Sequence, residues 1–78
     1  MVKSRYSRQY ERLLSILRQV RKEAGLTQSQ VAAKFGGHAS FISKIESGER
    51  RIDVVELAQF CRVYGISLAD FLNRAGLT

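Results

Sequence analysis

Proline is absent from the 78 residues, and cysteine, histidine and methionine occur once each. Each scarcity narrows the choices. A lone Cys61 cannot build a disulfide framework or a cysteine-based zinc site within one chain, and it reads as a small buried apolar residue in a reducing compartment. A chain without proline suits uninterrupted helices joined by short turns. No stretch approaches the roughly 18 apolar residues of a membrane span, and no apolar run follows the basic N-terminus as a signal peptide would require. A cytoplasmic protein is therefore expected. No segment alternates with period two between hairpin turns, so strands are not expected. The length admits one small domain, whose core needs well-packed helices or association with a second copy to be stable.

Charge is plentiful and one-sided. The net charge is +6, with a pI of about 10.1. The first 23 residues carry Lys3, Arg5, Arg8, Arg12, Arg18, Arg21 and Lys22 against Glu11 and Glu23, whereas the remainder is nearly balanced. Such a surface suits a partner that presents phosphates or anionic lipid, though basic balance alone also serves solubility.

The apolar pattern predicts five helices. Leu13, Leu17, Val20 and Ala24 recur at helical spacing with Ile16 beside them, which places a first helix from about Ser7 to Ala24, ended by Gly25. Residues 1–6 are polar and are expected to form a flexible basic arm ahead of a domain over 7–78. Thr27-Gln28-Ser29-Gln30 is a capping box, and Leu26 and Val31 are placed for a hydrophobic staple across it. That second helix ends at Gly36-Gly37. A third runs from about Ala39 to Ser47 and stops at Gly48. Asp53-Val54-Val55-Glu56 opens a fourth, carrying Leu57, Phe60, Cys61 and Tyr64 to Gly65. Ser67-Leu68-Ala69-Asp70 opens a fifth, which stops near Gly76.

The second and third helices have the features of a steep helix-turn-helix crossing. Ala32 is small enough for close approach, Gly36 tolerates a positive φ in the turn, and Ile42 and Ile45 lie three residues apart on one face, pointing back at the second helix. In order along the chain stand Leu26-Thr27-Gln28, Ala32, Gly36, Ile42-Ser43-Lys44-Ile45-Glu46-Ser47-Gly48 and Gly65-Ile66-Ser67-Leu68. At this spacing the sequence resembles the phage repressor/Cro family, also called Xre-like, over roughly Leu13 to Leu72.

The resemblance implies an all-α, five-helix repressor-like domain that regulates transcription by binding double-stranded DNA, with the third helix in the major groove. It implies base contacts from His38, Ala39, Ser40, Ser43 and Lys44. Lys44 has the reach and charge to take guanine O6 and N7. It also implies phosphate contacts from Gln28 and from Arg50 and Arg51 in the following loop. Phe41 is ordinarily a core residue, but on this helix it is expected to be partly exposed, against the sugar-phosphate wall. Arg21 and Glu46 occupy positions that pair in the family. One departure stands out: Ala39 occupies a position where the family often carries Gln or Arg, and alanine can meet a thymine methyl but cannot donate a bidentate bond.

One helix-turn-helix reads only a few base pairs, so a homodimer is expected. Leu68, Phe71 and Leu72 on the fifth helix, with Leu77 beyond, exceed what a small core can cover and are expected to form the dimer interface. The competing reading is a protein-interaction module, antitoxin-like or adaptor, that keeps the fold but works through a protein partner. Catalysis is not expected. His38 lies beside Ser40, but no placed acid or oxyanion hole accompanies them. No cofactor or metal is called for.

Overall fold

Three of the five helices open on a side-chain cap supplied by a near neighbour in sequence. The computed structural model describes the backbone of residues 3–78 and the side chains from Arg8 onward. Five helices follow in order: α1 (Lys3–Glu23), α2 (Gln28–Lys34), α3 (Ala39–Ser47), α4 (Val54–Tyr64) and α5 (Leu68–Arg74). No strand occurs among the described residues. Helix α1 starts before the expected Ser7, and the expected arm over residues 1–6 falls on side chains outside those described.

The Thr27 side chain accepts from the Gln30 N–H while Gln30 reaches back to the Thr27 N–H, and Asp53 and Glu56 do the same at the start of α4. Ser67 caps α5 at Asp70. These bonds satisfy N–H groups that a helix start otherwise leaves to water, each cap contributing about 1 kcal/mol. At the end of α2, Gly36 takes a φ of 68°, which lets the Gly36 N–H reach the Ala33 carbonyl and the Gly37 N–H the Ala32 carbonyl. This reversal needs the left-handed backbone that glycine adopts without a Cβ clash.

The core lies where α1 meets the other four helices. Leu13, Leu14, Leu17 and Val20 of α1 pack with Val31 and Ala32, with Ile42 and Ile45, with Leu57, Phe60 and Cys61, and with Phe71 and Ala75. Phe60 sits at the centre, its ring 4.7 Å from that of Phe35 and 6.0 Å from that of Tyr64. Ala24 falls outside the core: α1 ends one residue earlier, and Ala24 is exposed in the turn.

Phe71 requires a correction. Expected at a dimer interface, it is fully buried in the monomer core. Helix α5 has seven residues, and its inward face is the one that carries Phe71; Leu68 and Leu72 flank it half-buried, and only Leu77 beyond the helix is exposed. A ring in the core cannot also form a surface patch.

The Tyr64 hydroxyl is buried without a hydrogen-bond partner among the described residues. Burial, with the Glu46 carboxylate nearby, pushes its ionisation far above the ordinary phenol range. A buried hydroxyl without a partner costs about 1–3 kcal/mol of desolvation. Tyr64→Phe, which keeps the ring, is therefore expected to leave the thermal midpoint unchanged or raise it. A midpoint lowered by several degrees would mean that the hydroxyl is bonded in solution.

Candidate nucleic-acid interface

Helix α3 presents two unlike faces. Ile42 and Ile45 are fully buried against the rest of the domain, together with Glu46, while Ser40, Ser43, Lys44 and Ser47 share the exposed side. The alternation follows from helical spacing, which puts residues three and four apart on one face. His38 is the N-cap residue, but its side chain makes no capping bond, and the imidazole stands exposed at the head of the helix. Ala39 is half-buried beside it. The base-contact candidates thus run from the N-cap to Lys44 in the last turn of α3, four of the five on the solvent side.

Behind that face lies a polar anchor. Arg21 grips Glu46 with two parallel bonds, Nε to Oε2 at 2.7 Å and Nη2 to Oε1 at 3.1 Å. Gln28 Nε2 donates to the same Oε1 at 3.0 Å, and Arg21 Nη1 donates to the Leu26 carbonyl. Arg18 Nη1 donates to the Glu46 carbonyl at 2.6 Å, satisfying an oxygen near the end of α3. Glu46 is the one buried charged residue among those described, at 2% exposure. The bidentate hydrogen bond to the Glu46 carboxylate holds the Arg21 guanidinium above even its usual high range. The network ties α1, the start of α2 and the end of α3 together. The Gln28 side chain, expected on a phosphate, has one amide proton engaged here, and the other makes no bond among the described residues.

Two loop arginines expected to act together point to different places. Arg50 lies beside α3, its guanidinium 4.9 Å from the centre of the Phe41 ring, in a groove lined also by Phe35, Gly37, His38, Ser40 and Lys44. Arg51 turns to the opposite side of the loop and stacks on Tyr10 of α1 at 4.1 Å, near Gln9, Leu13 and Leu77. Tyr10 also fixes the loop, its hydroxyl oxygen accepting the Ile52 N–H at 3.0 Å. The structure therefore brings His38, Ser40, Phe41, Lys44 and Arg50 into one groove and leaves Arg51 outside it.

Three participants escaped the sequence reading: Arg18, Tyr10 and Glu56. Glu56 was visible as half of a capping box, but its second partnership, with Arg50 in the loop before α4, belongs to no capping pattern. Val54 and Val55 are the most exposed large apolar residues described, at 66% and 65%. Among the described residues, no group of acidic, histidine and cysteine side chains is arranged to hold a metal, and no helix is long and apolar enough to cross a membrane.

Comparison with known proteins agrees with this geometry. Residues 17–71, from the middle of α1 into α5, match the helix-turn-helix family. An uncharacterized HTH-type transcriptional regulator of Sinorhizobium fredii is 35% identical over 54 residues, which span 69% of this chain and 70% of that protein. The solved structure of an XRE-family like protein from Pseudomonas syringae pv. tomato superposes with a TM-score of 0.87 at 39% identity, covering 95% of this chain and 90% of that one. A buried Arg21–Glu46 anchor, a glycine-reversed turn and an α3 with one polar face, together with these matches, place the chain in the Cro/C1-type, XRE-like helix-turn-helix family.

Proposed function

We propose that the protein is a transcriptional regulator that binds double-stranded DNA sequence-specifically, with α3 entering the major groove N-terminal end first. The observation that carries this reading is the exposed row of Ser40, Ser43 and Lys44 with His38 at its head, on a helix held rigidly from behind by Ile42, Ile45 and Glu46. A B-form major groove accepts one helix, and short polar side chains at its leading end meet base edges while Lys44 reaches guanine acceptors. The Ala39 methyl suits contact with thymine. Gln28 and Arg50 flank the helix and take phosphates, and Phe41 lies against the sugar. Arg51 joins them only after leaving Tyr10.

Binding to arbitrary duplex DNA should weaken steeply with salt, because phosphate contacts release counterions. A protein-interaction module with the same fold would not show that slope. Lys44→Ala should lose roughly 1–3 kcal/mol on a selected operator while binding to random DNA stays nearly constant. Equal losses on both would assign Lys44 to the phosphates instead.

The same reading includes a homodimer on DNA. With Phe71 in the core, the remaining candidates are Leu77, 39% exposed, and the half-buried Leu68 and Leu72. A two-fold pair would set the recognition helices about 34 Å apart, one turn of DNA. Leu77→Glu places its charge on an exposed side chain and should fold normally. Sedimentation of the complex with operator DNA should give two protein chains per site for the parent and a weakened second binding step for the variant. One chain per site for the parent would end the dimer reading.

A further inference from the structure

Arg50 is held in a way that leaves one edge of its guanidinium available. Its Nη1 donates to Glu56 Oε1 at 3.1 Å and to the Arg51 carbonyl at 3.2 Å, and its Nη2 donates to Glu56 Oε2 at 2.9 Å. These bonds use three of the five donor protons. The Nε–H and the second Nη2–H make no bond among the described residues. Those two protons lie along one edge of the planar fork, the edge that grips a second oxyanion in bidentate fashion. The Phe41 ring lies under the guanidinium, its centre 4.9 Å from Arg50 Cζ. Glu56 is in turn fixed by its own helix, since its Oε1 accepts the Asp53 N–H and its backbone N–H donates to Asp53. Its carboxylate is therefore a rigid platform, and the partnership with Arg50 holds it below the ordinary carboxylate range.

The geometry points to Glu56 as a positioning residue for DNA binding: it holds Arg50 end-on so that the free Nε–Nη2 edge faces outward to clamp one backbone phosphate beside α3. The assignment rests on the DNA-binding reading above. It also sets two physical effects against each other. Coulomb's law alone makes a carboxylate near the duplex unfavourable, so its removal should tighten binding. Pre-organisation makes the opposite demand, because a long arginine freed from its platform must be ordered again when it meets a phosphate. The two effects separate when Arg50 is removed. Without Arg50, Glu56 has nothing to position and only its repulsion remains.

The test is a cycle of full-length proteins titrated against a short random-sequence duplex at several salt concentrations. Glu56→Gln keeps an oxygen for the Asp53 N–H and removes the charge, and thermal melts confirm that each variant is folded. Arg50→Ala should lower affinity about fivefold, the scale of one charge-assisted phosphate contact. Glu56→Gln should lower it about threefold when Arg50 is present, and should raise it when Arg50 is alanine. This inversion of sign is something a purely structural role for Glu56 would not produce. If Glu56→Gln tightens binding in both backgrounds, Glu56 is only a repulsive or competing charge and the assignment is overturned. If it has no effect on affinity in either background, Glu56 serves only the α4 cap and the assignment is likewise overturned. A parent protein that does not bind the duplex would remove the DNA-binding reading itself, an outcome distinct from both.

Discussion

Phe71→Glu is expected to abolish the folded state at room temperature. The phenyl ring is completely buried, and truncating a core phenylalanine costs about 3–5 kcal/mol from lost transfer energy and the cavity left behind. Glutamate adds the cost of a carboxylate with no partner in an apolar site. Domains in general hold only about 5–15 kcal/mol, and one this small lies toward the lower end. The far-ultraviolet spectrum should lose its helical signature, and no cooperative melt should remain. Phe71→Leu keeps most of the apolar volume and should melt cooperatively at a lower temperature. A folded Phe71→Glu protein with altered self-association would return this side chain to the surface.

Glu46→Ala is the second large effect. It leaves the Arg21 guanidinium in a site where only 11% of its side chain meets solvent, and removes the acceptor used by Gln28. Removing one partner of a buried ion pair costs about 3–5 kcal/mol, because the surviving charge has been taken out of water without compensation. In a domain of this size each kcal/mol moves the midpoint by roughly 4–8 °C, so a drop of more than ten degrees is expected. Replacing both partners with apolar residues, as in Arg21→Met with Glu46→Leu, should recover much of the loss. DNA binding by Glu46→Ala, measured where the protein remains folded, should fall only as far as α3 is loosened. A melt superimposable on that of the parent would show that the pair does not hold the helices together.

What could be read without coordinates was what is encoded locally. Thr27 with Gln30 and Asp53 with Glu56 announce helix starts within four residues, and the glycines at 25, 36, 48 and 65 announce ends, so the five helices emerge with small errors at the margins. The polar face of α3 follows from periodicity alone. The Arg21–Glu46 pairing, by contrast, was reached through family resemblance, since nothing in two charges separated by 25 positions signals contact. The partnerships of Arg18 with Glu46 and of Tyr10 with Ile52 have the same character, because each depends on how helices pack after they form. Phe71 was misplaced for a related reason. A seven-residue helix with three large apolar side chains has more apolar surface than one contact needs, and periodicity does not say which of them points inward.

The two anchorages on α1 have a mechanical consequence. Tyr10 holds the loop after α3, and Arg21 holds the end of α3 itself. Both belong to one uninterrupted helix, on which eleven steps span about 16 Å. Helix α3 and its loop are splinted to a common rod at two points. If α3 enters a DNA groove as proposed above, misfit falls to the duplex more than to the helix: steps that bend or twist easily toward the fixed shape should be favoured, even where no side chain touches them.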